Sequence, residues 1–319
     1  MRPPRGYDAP ATTTPRASSM RHAATVPTRL LLAAGLLAVT ASAHAGSIDL
    51  ATPEGANLAM RKVQCSLKDN EPVTYYWNGD VYSRVEGEPD RKLFHFEAMN
   101  IRTCVTVNDA EKGAGWRLVS RELLLYMDPK TGEVLDTWQN PWTGKSVKVL
   151  HIDNDPVNQP PMFPVGRDGK PVTWPARSLG DNWWLTLTIP LFYNNPLGGP
   201  YQPYVGGMYH ATEMFNFMGD ISDLVDDARD TAAVRVGWVR QSGWLPWMEM
   251  GGRPGLVYFH AAGRKIERFA DLPHLLQHEI ETNYPKYKSP PPGDDTRPNE
   301  TSWTYFMKKV PPPAPPARH

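Results

Sequence analysis

The chain lacks any apolar run long enough to cross a bilayer. Its longest, Leu30 to Val39, is about ten residues, against the roughly twenty that a spanning helix needs. Cysteine is scarce: the two present, Cys65 and Cys104, belong to no metal-spaced pair and no haem-attachment motif. Neither sign of charge dominates, with 34 Lys and Arg against 34 Asp and Glu, and no basic run occurs, so a phosphate backbone is a poor partner and nucleic acid is set aside. Also missing are a phosphate-cradling glycine loop, a dinucleotide fingerprint, a nucleophile elbow, a zinc-protease helix and a redox cysteine pair. Those absences argue against nucleotide cofactors and the common hydrolases, and the expected cofactor list is empty.

What is present starts with a leader. Arg21 and Arg29 precede the apolar run, and Ala43-His44-Ala45 follows it as a small-x-small cleavage signal. Residues 1–45 are therefore expected to be a cleavable secretory leader, with Met20 as the expected start, and the protein to be periplasmic or secreted. Taking the leader's five arginines and one aspartate from the totals leaves a formal charge of −4. In an oxidising compartment an even pair of cysteines suggests a Cys65–Cys104 disulfide, worth roughly 4 kcal/mol by chain entropy. Two buried free thiols are the alternative. Residues 46–309 are expected to form one β-rich domain, and the proline-rich tail 310–319 to be disordered.

The region from Trp116 to Asn158 reads as three short strands, Trp116 to Met127, Glu133 to Trp138 and Ser146 to Ile152. They are joined by turns at Asp128-Pro129-Lys130-Thr131-Gly132 and Asn140-Pro141-Trp142-Thr143-Gly144, which predicts an antiparallel meander. Upstream, Val73 to Trp77 and Val81 to Val85 flank Asn78-Gly79, a strong two-residue hairpin signal. Leu93 to Val107 is a further strand whose apolar phase slips near Asn100, suggesting a bulge. Asp155 to Gly180 is a long Pro- and Gly-rich excursion. Asn182 to Pro190, Met208 to Phe217, Ala232 to Arg240, Gly255 to Ala261, Lys265 to Phe269 and Ser302 to Lys308 read as strands. Two short helices are expected, one behind Asp220 and one over Leu272 to Ile280 with Asp271 as N-cap. The fold class is all-β with two short helices, an antiparallel, closed or nearly closed barrel, lipocalin-like in outline, with a β-sandwich as the alternative.

Six stretches together suggest a family: Tyr76-Trp77-x-Gly79-x-x-Tyr82, Phe94-x-x-Glu97-x-x-Asn100-x-Arg102, Tyr126-x-Asp128-Pro129-x-Thr131-Gly132, Asn140-Pro141-x-Thr143-Gly144, Asn154-Asp155-Pro156-Val157 and Trp244-Leu245-Pro246-Trp247-Met248-x-Met250-Gly251. In these the chain resembles the exported bacterial proteins of domain-of-unknown-function family 1838. The resemblance covers nearly all of the chain after the leader and implies membership without a mechanism.

Candidate residues are polar side chains in apolar strands. Alternation from Tyr209 puts Glu213 on one face with Ala211, Phe215 and Phe217, and Arg240 continues the face of Val234, Val236 and Trp238. A buried carboxylate needs a partner, and burial pulls its pKa towards a useful acid/base range. Glu213 and Arg240 therefore read either as a structural ion pair or as a ligand-contacting or catalytic pair. His95 with Glu97, and His151 with Asp153, are histidine-carboxylate pairs on shared strand faces, the minimum for proton transfer. His151 ranks higher because it enters the long loop. Asp153, Asn154, Asp155 and Asn158 supply oxygens but lack the pattern of a calcium loop, and His274 and His278 lie opposite a leucine stripe, so no metal site is expected. Trp244 and Trp247 sit in a glycine-framed cluster, and the eleven tryptophans either line a cavity or fill the core.

The expected function is binding of an apolar or aromatic small molecule in an interior cavity. Tyr209, Phe215, Phe217, Trp244, Trp247 and Glu97 would contact it, and Arg240 would orient it. The alternatives are a cofactor-independent enzyme with Glu213 or His151 as acid/base, and a cell-envelope interaction module marked by an exposed aromatic patch.

Overall fold

The computed structural model describes residues 47–312 apart from 198, 202, 203 and 206; the expected leader and the end of the tail lie outside the described residues. The chain opens with helix α1 (Pro53–Gln64) and three long strands, β1 (Val73–Arg84), β2 (Arg91–Asp109) and β3 (Gly113–Met127). Short strands β4 (Thr137–Gln139), β5 (Ser146–Lys148), β6 (Ile152–Asn154) and β7 (Arg177–Leu179) follow. Then come β8 (Asn182–Asn194), β9 (Met208–Asp220), α2 (Ile221–Val225), β10 (Arg235–Ser242), β11 (Leu256–Ile266), α3 (His274–Thr282) and α4 (Ser302–Lys309). Nine strands make one antiparallel sheet in the order β6-β3-β2-β1-β11-β10-β9-β8-β7, and β4 and β5 pair apart from it. The class is thus mostly β and antiparallel. Among the described residues no sheet closes on itself: β6 and β7 end the large sheet as free edges. No helix among them is long and apolar enough to cross a membrane.

Two glycines that resemble turn signals do something else. β1 runs straight through Asn78-Gly79, pairing with both β2 and β11, so no hairpin forms there. A Cβ on Gly79 would lie 2.1 Å from the His260 carbonyl oxygen, and one on Gly263 2.5 Å from the Trp77 Cβ. Both glycines permit close approach between strands beside the Trp77 ring, and β11 accordingly continues through Gly263 as one strand where two were expected. The irregularity in the β1–β2 pairing falls between Val81 and Tyr82, not near Asn100. At Asn100 the apolar phase slips because β2 is buried on both faces: Phe94, Phe96 and Ala98 pack into one cluster, Met99 and Ile101 into another beneath α3.

Both five-residue turns form as read. Asp128 Oδ1 accepts the amides of Lys130 and Thr131, Asn140 Oδ1 those of Trp142 and Thr143, and Gly132 and Gly144 take positive φ. The meander itself is not continuous, since β4 pairs only with β5 and β6 returns to β3. Ser302 to Lys308, expected as a strand, is helix α4: Thr301 and Thr304 cap it reciprocally, and Trp303 and Phe306 at helical spacing are its buried face. Helix α1 went unanticipated although Thr52 caps it and Pro53 opens it. The N-cap of α3 is Pro273; Asp271 instead accepts from the Arg268 backbone in the preceding turn. Cys65, ending α1, and Cys104 on β2 are joined as a disulfide. Val310, counted with the tail, packs on the core, and its carbonyl accepts the Tyr201 hydroxyl at 2.9 Å.

Candidate functional site

Register decides which side chains share the inner face of the sheet. Opposed pairs place Asn100 with Tyr75 and Glu122, Phe96 with Gly79 and Tyr126, Trp238 with Phe215 and Ala261, and Arg240 with Glu213 and Phe259. This face carries two apolar clusters. One gathers Phe94, Phe96, Tyr126, Trp238, Trp244, Trp247 and Phe259 with Trp303 and Phe306 of α4, and the other Tyr75, Trp183, Phe217 and Val236 with Ala59 and Val63 of α1. Trp77 and Phe215 touch both clusters and are themselves only half-buried. The two clusters meet at these rings, and the half-burial of both leaves a solvent-reached cleft there. On β8 the inward-facing Leu187 and Tyr193 are 41% and 44% exposed, so solvent reaches the inner face along that edge.

Polar groups converge on the cleft. The buried Arg240 guanidinium donates from Nε to Glu213 Oε1 (3.2 Å), from Nη1 to Ser242 Oγ (2.7 Å) and from Nη2 to the Tyr209 hydroxyl (2.9 Å), with the Phe259 and Trp303 rings 5.7 and 5.6 Å from its carbon. Burial works against its charge, but Tyr209 and Glu213 more than offset that and raise its pKa. The Glu213–Arg240 pair expected from strand alternation is thus formed on the inner face, with Tyr209 as third member.

Glu122 on β3 is the residue that strand alternation could have supplied and did not, since it keeps phase with the inward Leu124 and Tyr126. Burial, reinforced by the Glu213 charge, pushes its carboxyl up to about 7, against the pull of Arg102 and Arg240. The Tyr126 ring on β3 lies 6.3 Å from the Phe259 ring on β11 although β2 and β1 stand between those strands, so the sheet curls enough for its two sides to face one another. Across the strand pair from Glu122 lies Asn154, whose side-chain oxygen is buried without a partner. Two inner-face indoles, Trp77 and Trp238, also bury N–H groups that meet no acceptor. Unmet donors and a near-neutral acid beside a wetted cleft are unusual, because buried polar groups are nearly always paired.

Other sequence candidates are placed elsewhere. Glu97 faces the outer side of the sheet, paired opposite Asn78 and Leu125, where burial raises its pKa and leaves one oxygen unpartnered. His95 Nδ1 meets Asp80 at 2.9 Å rather than Glu97. Trp247 is packed among Phe94, Tyr126 and Trp138 as core. Trp244 and Tyr209 line a recess of about 240 Å³ with Trp303, Met250 and His210, and the Trp303 indole N–H there is buried without an acceptor.

His151 lines a separate groove of about 660 Å³ with Asp136, Asp153, Glu279, Tyr284, Lys286 and Tyr305. Its Nδ1 accepts the Tyr126 amide at 3.0 Å, so its proton sits on Nε2, and burial holds its pKa down at about 4. At neutral pH it is a neutral donor whose basic nitrogen is occupied. The oxygens of Asp153 and Asp155 meet Lys286, Tyr287, Arg121 and Arg297. Among the described residues no group of three or more His, Cys, Asp or Glu is placed to hold a metal.

The outer face of β8 and β9 exposes Trp184 with Met218 at one end and Phe192 with Met208 at the other. Seven residues of β8 and nine of β9 separate the two groups, so they do not merge into one patch.

Comparison with known proteins agrees with the fold's motif content. The model of the family described as protein of unknown function (DUF1838) matches residues 70–310. The chain belongs to this DUF1838 family. The match begins just before β1 and runs through α4, so it includes every cleft residue named above. No curated protein matches the chain.

Proposed function

We propose that this DUF1838 protein is exported and binds a small organic molecule in the inner cleft between its two aromatic clusters. The reading is carried by one observation: Glu122, a half-buried carboxyl on the inner face held near neutrality, has no hydrogen-bond partner among the described residues. Rings of Trp77 and Phe215 supply apolar walls and a neutral Glu122 supplies a donor, so the fitting ligand has an apolar body and an acceptor group. Export is supported by the leader-like residues 1–45 and suits the Cys65–Cys104 bridge.

A titration of the protein with naphthalene-2-methanol, followed by tryptophan emission and calorimetry, tests this. Saturable binding is expected, weakened about tenfold by Phe215→Ala on the inner face and unchanged by Phe192→Ala on the outer face. Absence of saturable binding, or equal loss in both variants, would refute it.

The near-neutral acid also favours a second reading, a cofactor-independent enzyme in which Glu122 exchanges a proton with the bound molecule and Arg240 steadies developing negative charge. Here Glu122 replaces Glu213, which is engaged with Arg240, and His151, whose Nδ1 is taken. Glu122→Gln separates the two readings: binding survives in both, and turnover disappears only if the protein is an enzyme.

A further inference from the structure

We infer that the cleft ligand carries a planar monoanion, a carboxylate, and that Arg102 receives it. This rests on the cleft reading above and adds the chemical class of the molecule. Arg102 stands on the inner face of β2, two residues from Asn100, with its guanidinium 4.7 Å from the centre of the Tyr75 ring. Its Nε donates to Asn100 Oδ1 and its Nη1 to Gln64 Oε1, both at 2.7 Å and both neutral amides. No carboxylate among the described residues lies within ion-pair distance of it. Other well-buried arginines have one: Arg61 pairs with Asp69, Arg121 with Asp155 and Arg240 with Glu213. A guanidinium stays charged under any ordinary condition and carries five N–H donors, of which two are used here.

The neighbouring cations sharpen the assignment. Lys265 lies 5.6 Å from the same Tyr75 ring, and its ammonium is fully occupied by the carbonyls of Lys62 and Cys65 and the Thr231 hydroxyl. Lys62 in turn bonds the carbonyls of Leu224 and Asp226. Three cations thus collect at the α1 end of the cleft, each hydrogen-bonded to neutral oxygens. Lys62 keeps one donor but is fully buried, whereas Arg102 keeps three, on Nη1 and Nη2. Such a guanidinium matches one bidentate carboxylate better than a phosphate dianion, which would call for a second accessible cation. Glu122 belongs to the same electrostatic group, since Arg102 and Glu122 act on each other. As a neutral acid it can donate to the same anion, where a fixed carboxylate would repel it.

The test compares naphthalene-2-carboxylate with naphthalene-2-methanol, two probes of nearly equal shape, by calorimetry at pH 6 on the full protein. The carboxylate is expected to bind about tenfold or more tightly, as for a charge-assisted bidentate contact. In Arg102→Gln the advantage of the carboxylate over the alcohol should disappear. Arg102→Lys should keep part of the preference, and thermal melts of both variants report whether they fold. Equal binding of the two probes to the parent protein overturns the anion assignment and leaves the cleft reading standing. A preference that persists in a folded Arg102→Gln overturns it as well. If neither probe binds, the cleft reading falls and the anion assignment with it.

Discussion

Replacing Glu122 by glutamine should make this protein more stable above neutral pH and leave it nearly unchanged in acid. Glutamine has the shape of the protonated acid and never ionises. The carboxyl titrates at about 7 in the folded chain against an ordinary 4.5, because burial and the Glu213 charge both disfavour its anion. The folded state therefore holds this proton more tightly than the unfolded state does. Stability from that proton is complete below pH 4.5 and is lost as pH rises through about 7. Carrying the shift through gives a penalty of about 3 kcal/mol at pH 8.5, which glutamine removes. For a domain of this size that corresponds to a melting temperature higher by roughly 6–12 °C at pH 8.5. At pH 4.5 the two proteins should melt within about 1 °C of one another. Thermal and urea denaturation of both proteins between pH 4.5 and 8.5 measures the difference. A gap that does not change with pH, or one that widens in acid, would show that Glu122 is not the buried, near-neutral acid on which the functional reading rests.

Arg240→Met leaves Glu213 without its cation and should cost about 3–5 kcal/mol, whereas the double variant with Glu213→Leu should recover much of the loss; a double-mutant cycle in urea decides this. Gly79→Ala puts a methyl 2.1 Å from the His260 carbonyl, so β1 and β11 must part, and a loss of at least about 3 kcal/mol or failure to accumulate as folded protein is expected. Gly87→Ala, where nothing lies within 4 Å but φ is positive, should cost only about 1 kcal/mol, and comparing the melts of the two checks the packing argument. Cys65→Ser with Cys104→Ser opens a link across 39 positions and should lower stability by about 4 kcal/mol, read from denaturation midpoints under non-reducing conditions.

Much of the architecture was legible because strand period and turn chemistry are local. Asp128 and Asn140 close their turns with their own side-chain oxygens, and glycine four residues later takes the positive φ; nothing distant is needed. Glu213 and Arg240 were legible for a related reason, since alternation alone puts each on an apolar face and a buried charge calls for its opposite. The misreadings share a cause. Gly79 and Gly263 look like chain reversals, yet they are glycine because the neighbouring strand presses against each, through His260 and Ala261 at Gly79 and through Tyr76 and Trp77 at Gly263. Ser302 to Lys308 is rich in strand-favouring residues, but burial of Trp303 and Phe306 against the other aromatics selects the helix.

By itself, then, the sequence determined the mostly antiparallel β class, the turns, the family and the apolar strand face that each of Glu213 and Arg240 occupies, because each depends on neighbours along the chain. Tertiary structure alone decided which acid is near neutrality and which cation is unpaired. Glu122 and Glu213 are 91 positions apart and sense one another only because the sheet curls. Arg102 is left without a carboxylate only because α1 delivers an amide, Gln64, where another helix could have delivered an acid. Electrostatic environment is a property of what folding brings near, and the order of residues along the chain does not contain it.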